Sequence, residues 1–221
     1  MFVLTINQRD SREVGDRIEE LIASLAPIPT LVPFQRSFGD EAIGVLTTPE
    51  HALEAALTAL RQHRWHVGIG VGPVQAPFPE LIADAEGFGL VYARRAVNRA
   101  QKTGERIPLA VAGPDSEVAS EAEAVARLVG RIVATRTEAE WSVLDLMIPG
   151  VRGQQKAIAT ELGITAQAVS KAVVRSNWNE EWACRPAVAR LLSLVAGPDR
   201  LPAATYPYDP GREPDRPAAG A

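Results

Sequence analysis

Residues Gln154–Val173 read QQKAIATELGITAQAVSKAV. Ile158 and Leu162 stand one helical turn apart and predict the inward face of a first helix, Gln154–Leu162. Gly163 supplies the positive φ that ends this helix and turns the chain. Ala159 is small enough for a second helix to cross closely, and Ile164 is expected to pack beneath the turn. Thr165 is placed to cap the second helix, Ala166–Arg175, through its hydroxyl. Val169, with Ala172 or Val173, gives the buried face of that helix. The other face carries Ala166, Gln167, Ser170 and Lys171, then Val174 and Arg175. Short polar and basic groups of this kind suit base edges and phosphates. From Leu162 to Asn179 there is no acidic residue. The face therefore carries nothing that repels phosphate. Helix bundles also meet at glycine turns without binding DNA. The mutual fit of Ala159, Gly163, Ile164 and Val169 favours a DNA-reading helix-turn-helix, with Thr165, Ala166, Gln167, Ser170, Lys171 and Arg175 as its contact residues.

Outward from this motif, Thr137–Ala196 is expected to be nearly all helical. Trp141, Leu144, Leu146 and Met147 form one apolar stripe, and Pro186–Val195 reads as a closing helix with its proline near the start. Asn177–Trp182 is the place for a short wing or turn, anchored by Trp178 and Trp182; tryptophans at this spacing are more often core than stacking platforms for bases. Upstream, Asp115–Thr135 is a long helix in which Val118, Ala122, Val125, Val129 and Ile132 recur at heptad-like spacing. Such a stripe packs on its own domain or forms a dimer seam. Downstream, residues 198–221 hold six prolines in 24 positions and are expected to be disordered.

Charge divides unevenly. The whole chain of 221 residues has a net charge of −4, so phosphate contact must come from a local patch. Hydrophobic residues make up 46%, enough for a sizeable core. The single cysteine, Cys184, excludes an internal disulfide framework and any cysteine-based zinc cluster. The opening MFVLTINQRD lacks a basic segment followed by an apolar one, and no apolar run reaches the ~20 residues of a bilayer span. A soluble, cytoplasmic protein that does not contact membranes is expected.

The first 113 residues alternate strands and helices. Phe2–Ile6, Phe34–Phe38, Ala42–Leu46, Trp65–Val71 and Ile107–Ala112 read as strands; Val14–Leu25, Pro49–Arg64 and Phe88–Lys102 read as helices. Gly39-Asp40-Glu41 joins the second and third strands as a hairpin. The order β-α-β-β-α-β-α-β places a hairpin inside a βαβ unit, the split arrangement of ferredoxin-like folds. GIGVG, Gly68–Gly72, lies within a strand and runs into Pro73 instead of opening a helix, so it is not a dinucleotide-binding loop. His63 and His66 lack an evident third metal ligand. The expected fold class is α+β: a ferredoxin-like or palm domain over 1–113, a linker or dimer helix over 114–136, an all-α, winged helix-turn-helix domain over 137–197, and the tail.

Two resemblances attach to these residues. KAIATELGITAQAVSK, Lys156–Lys171, resembles the helix-turn-helix of many bacterial transcription regulators, including the winged type. INQRDSR (Ile6–Arg12), FGDEAIGVL (Phe38–Leu46), GIGVG and EGFGLVYARRAVNRAQKTG (Glu86–Gly104) follow the order of a nucleotide-cyclase or diguanylate-cyclase palm. Over residues 1–195 the chain resembles the SatD-like proteins, which join such a domain to a C-terminal helix-turn-helix. The resemblance implies a site of two carboxylates holding two divalent ions, one at the end of the first strand and one at the hairpin. The hairpin offers Asp40 and Glu41, but the first-strand position is Asn7, a neutral amide, and Asp10 lies three residues on. The metal pair is incomplete.

The expectation is therefore a DNA-binding transcription regulator acting as a homodimer on double-stranded DNA. No catalytic residue, cofactor or metal is assigned, and the palm domain serves dimerisation or ligand sensing. A nucleotide is a candidate ligand, with Asp40, Glu41 and Arg94 as its candidate contacts, although turn chemistry for Asp40-Glu41 and a solvated helix face for Arg94-Arg95 are the plainer readings. The alternatives are a divergent nucleotide cyclase or nucleotide-binding enzyme, and a protein-binding adaptor.

Overall fold

A computed structural model describes residues 1–197 apart from Pro79, Thr103 and Glu105; for Arg12 and Ala83 it describes the backbone alone. The expected disordered tail, 198–221, lies outside the described residues. The protein is α+β, with a five-stranded mixed sheet and helices. It divides into two compact units. The first comprises residues 1–136 and 184–197, the second 137–183.

In the first unit the strands are β1 (Phe2–Gln8), β2 (Val32–Arg36), β3 (Glu41–Leu46), β4 (Trp65–Val71) and β5 (Leu109–Ala112). Their spatial order is β2-β3-β1-β4-β5. β1 runs antiparallel to both of its neighbours, and β4 and β5 are parallel. The central β1 is covered on both faces, which is why FVLTI is nearly continuously apolar. Among the helices, α1 (Ser11–Val14) and α2 (Ile18–Leu25) follow β1, α3 (Pro49–Arg61) joins β3 to β4, and α4 (Phe88–Lys102) crosses from β4 to β5. The helix expected over Val14–Leu25 is interrupted because Gly15 takes φ +78°, and the Gln8 side chain satisfies the loop by donating to Gly15 O and accepting from Arg17 N.

One face of the sheet is built for close approach. A Cβ at Gly68 would overlap Val97 N and Ala93 O, and one at Gly70 would overlap Ala93 N and Gly89 O. These two glycines sit beside Thr5 and Val3 in register, so α4 lies directly on β4 with Gly89, Ala93 and Ala96 as its inner face. GIGVG is thus a packing device. Val3, Val32, Ile43, Val45, Val74 and Ile82 complete the core on this side with Ala93. The opposite face carries Gln8 and Trp65, paired in register, and the Trp65 indole donates to Gln62 at the end of α3.

α5 (Ser116–Ala134) begins at Asp115, whose carboxylate accepts from Glu117 N and Val118 N, each at 3.0 Å. It packs on β5 and α3, with Gly130 against Leu60. Of the heptad-like stripe, Ala122 and Val129 are buried and Val118, Val125 and Ile132 are half-buried. Of the two readings of this stripe, own-domain packing describes Ala122 and Val129, which join Ala119, Ala126, Gly130 and Val133 in the buried face of α5.

The second unit holds α6 (Glu138–Leu144), α7 (Gln155–Leu162), α8 (Ala166–Arg175) and the first turns of α9 (Trp178–Val195). Two expectations change here. No wing follows α8: only Ser176 and Asn177, the latter at φ +50°, separate it from α9, and every strand among the described residues belongs to the first unit. The closing helix starts at Trp178 instead of Pro186, which lies inside it and leaves the carbonyl four residues back without its usual N–H. From Cys184 onward α9 belongs to the first unit, where Val195 packs against Gly113.

The glycine face gives a sharp expectation. Gly70→Ala should cost about 3 kcal/mol or more, since backbone atoms of α4 occupy the space a methyl needs. Urea unfolding of the variant beside the parent measures it; a loss below about 1 kcal/mol would mean α4 can lift off without penalty.

Candidate nucleic-acid interface

The core of the second unit is Val143, Leu144, Ile158, Ala159, Val169, Ala172, Val173 and Trp178, with Trp141, Leu146, Met147, Leu162 and Trp182 against it. Ile158 and Ala159 from α7 and Val169, Ala172 and Val173 from α8 meet as their spacing requires. Gly163 sits at φ 65°, ψ 29°. Ile164 N donates to Ala159 O at 3.0 Å and Gly163 N to Thr160 O at 3.4 Å, the paired bonds of a Schellman turn. Thr165 caps α8, its hydroxyl accepting from Ala168 N at 3.1 Å. The expectation for Ile164 fails: it is 42% exposed, because its backbone rather than its side chain closes the turn.

All six expected contact residues, Thr165, Ala166, Gln167, Ser170, Lys171 and Arg175, are exposed. Gln167 and Lys171, four apart, share one side of α8 and have no partner among the described residues. Ser170 is partly committed, its hydroxyl donating to Ala166 O at 3.0 Å. Arg175 is committed further. Its Nε lies 3.6 Å from a carboxylate oxygen of Glu140. Glu140 also accepts from Thr137 N at 2.9 Å and closes a capping box on α6. One carboxylate thus caps the start of α6 and faces the end of α8. A threonine three residues before a glutamate is a legible cap, whereas the contact of Glu140 with Arg175 is purely tertiary.

Before α7, the Gln154 amide accepts from Ile148 N at 2.9 Å and donates to Ile148 O and Val151 O at 2.8 and 3.0 Å. It clasps a loop that presents exposed Arg152, with exposed Lys156 a turn into α7. Neither cation is among the six contact residues expected from the motif. Trp178 and Trp182 are in edge contact, with centroids 5.3 Å apart, and Trp178 is core.

In the first unit, the register places Glu41 of β3, Asn7 of β1 and His66 of β4 in one row across the sheet, at the end of the face that α4 covers. Glu41 is 5% exposed and pairs with Arg94 of α4 at 2.9 Å. Turn chemistry therefore does not describe Glu41, and Arg94 is not a merely solvated charge. Asp40 stands in the turn before β3, and its carboxylate accepts from the Ser11 hydroxyl at 2.8 Å. Burial pushes the Glu41 carboxyl above the usual carboxylate range, against the pull of Arg94 and of hydrogen bonds from Ser37 and Asn7. Burial, with the charge of Arg9, holds His66 below the usual imidazole range. Asn7 Oδ1 and His66 Nδ1 are buried without hydrogen-bond partners. His63 is exposed at a positive φ and does not join His66.

This row does not fit the two-ion site that a cyclase palm implies. Asn7 brings no charge, Glu41 is neutralised by Arg94, and the described residues contain no group of three or more His, Cys, Asp or Glu placed to hold a metal. No helix among them is long and apolar enough to cross a membrane. Comparison with protein-family models, with curated proteins and with solved structures yields no match.

Two measurements follow from this geometry. Gly163→Val should destabilise the second unit by about 1–2 kcal/mol, because a β-branched residue resists the left-handed region; loss of helical ellipticity at lower temperature reads it. For Glu41 the sign is that of a raised acid: the folded state holds the proton more tightly, so this group's contribution to stability falls as pH rises from the ordinary carboxyl value of 4.5 through its higher folded value. Glu41→Gln should remove that fall, and equal pH profiles for parent and variant would exclude it.

Proposed function

We propose that this protein is a DNA-binding transcription regulator that reads double-stranded DNA with α8. The observation that carries the reading is the division of α8 itself: Val169, Ala172 and Val173 are buried in the unit's core, while Thr165, Ala166, Gln167, Ser170 and Lys171 stand exposed beyond a left-handed glycine turn. Lys171 supplies a phosphate contact and Gln167, whose amide can donate and accept at once, a base-edge contact. Arg152 and Lys156 add charge at the start of α7. Arg175 contributes less than Lys171, since Glu140 already holds it.

For the first unit the reading is a ferredoxin-like, palm-type domain of the SatD-like kind that does not catalyse. The order β2-β3-β1-β4-β5, with antiparallel neighbours on both sides of β1, supports the topology. The Asn7–Glu41–Arg94 arrangement supports the loss of metal-dependent chemistry. Its role is dimerisation or ligand sensing. A homodimer on a palindromic site would set two copies of α8 roughly 34 Å apart, with the dimer surface elsewhere than the buried stripe of α5.

Binding to the protein's own upstream region and to scrambled DNA, across a salt series, tests the reading. Lys171→Ala should weaken both DNAs alike and lower the salt slope by about one. Gln167→Ala should relax preference at one base pair, by about 1–3 kcal/mol. Absence of binding at low salt would overturn the proposal. Magnesium-dependent turnover of a nucleoside triphosphate, abolished by Asp40→Ala, would favour the enzyme instead.

A further inference from the structure

A cleft of about 210 Å³ opens in the first unit among α4, β5 and α5, bordered by Arg95, Arg99, Gly113, Ser116, Ser120 and Glu123. It lies past the carboxyl end of β5, which pairs in parallel with β4; ligands of α/β sheets collect outside the carboxyl ends of parallel strands.

The charge count at this cleft is unbalanced. The Glu123 carboxylate accepts from Val111 N at 2.9 Å, pairs with Arg99, and pairs with Arg127 at 3.1 Å. Two guanidinium groups thus share one carboxylate. Arg99 also donates to Val111 O at 2.8 Å and Arg127 to Leu109 O at 2.7 Å, so the strand edge fixes both. Arg95, one turn before Arg99 on α4, is exposed and has no ion-pair partner among the described residues. Two cations, Arg95 and Arg99, therefore border the cleft against one anion, Glu123. On the facing wall Ser116 and Ser120, a helical turn apart, present exposed hydroxyls. The end of α5 is not the source of attraction, because Asp115 already satisfies its first N–H groups. The cleft is smaller than the ~300–1,000 Å³ of pockets for drug-sized molecules. It suits a compact anion or one end of a longer ligand.

We propose that this cleft binds a phosphoryl group, held by the Arg95 guanidinium and the Ser116 and Ser120 hydroxyls, with Arg99 and Glu123 as the fixed floor. Guanidinium and hydroxyl donors match phosphate oxygens in geometry and charge. The source is a free phosphate or pyrophosphate, or the phosphate end of a nucleotide. The proposal is independent of the DNA reading, whose residues lie in the other unit.

The test uses the full chain at constant ionic strength. Thermal unfolding and calorimetric titration are run with inorganic phosphate, pyrophosphate, a nucleoside triphosphate without divalent ions, and the matching nucleoside. Phosphate-bearing ligands should raise Tm and bind saturably, and the nucleoside should not. Arg95→Gln should leave the unliganded Tm unchanged and weaken binding about tenfold. Ser120→Glu, which sets a carboxylate against the ligand, should abolish it. A triphosphate that binds more tightly than pyrophosphate identifies a nucleotide end; equal or weaker binding identifies the free anion. Either supports the site. No saturable binding up to about 10 mM of any phosphate, or parental affinity in Arg95→Gln, would overturn it.

Discussion

The seating of α4 on two bare positions of β4 is the constraint on which the first unit depends. Gly68 and Gly70 remove the side chains that would hold a helix farther from the sheet, and Gly89, Ala93 and Ala96 answer them from the helix. With the backbones in contact, the arginines of α4 are set at fixed heights. Arg94 reaches the end of the Glu41–Asn7–His66 row, and Arg99 reaches Glu123 and the edge of β5. A helix held farther out would leave the buried Glu41 carboxylate without its cation. The same close approach therefore places the arginines that meet Glu41 and Glu123.

The two units handle charge in opposite ways. In the first, buried and half-buried carboxylates are paired with arginines: Glu41 with Arg94, and Glu123 with Arg99 and Arg127. This satisfies buried groups and leaves the cleft beside Arg95 positive although residues 1–135 carry more acidic than basic groups. In the second, one pairing, Glu140 with Arg175, anchors the end of α8, while Lys171, Lys156 and Arg152 stay exposed. Net charge at the level of the chain predicts neither arrangement, because local pairing decides which charges remain available to a ligand.

Asn7 shows how a single residue separates two interpretations of one topology. A carboxylate there would face Glu41 across adjacent strands, and two such groups repel unless a cation lies between them. The amide needs no cation: it donates to Glu41, and Arg94 supplies the positive charge from above. Glu41 is thereby satisfied by the protein's own groups, while Asn7 Oδ1 and His66 Nδ1 stay without partners.

Much was legible in the sequence because it depends on neighbours along the chain. The strand at Trp65–Val71, the helices at Phe88–Lys102 and Ala166–Arg175, the turn at Gly163 and the cap at Thr165 all rest on periodicity, glycine φ and local hydrogen bonds. The exposed face of α8 followed from the same spacing. Tertiary structure alone decided what crosses between elements. It buried Glu41 beneath Arg94, tied Arg175 to Glu140, turned the stripe of α5 inward and carried the helix through Pro186 with no wing before it. It also gathered Arg95, Arg99, Ser116 and Ser120 around one cleft. Each of these joins residues whose pairing is set by the register of strands and the height of a helix over a sheet, and no spacing in the sequence encodes that distance.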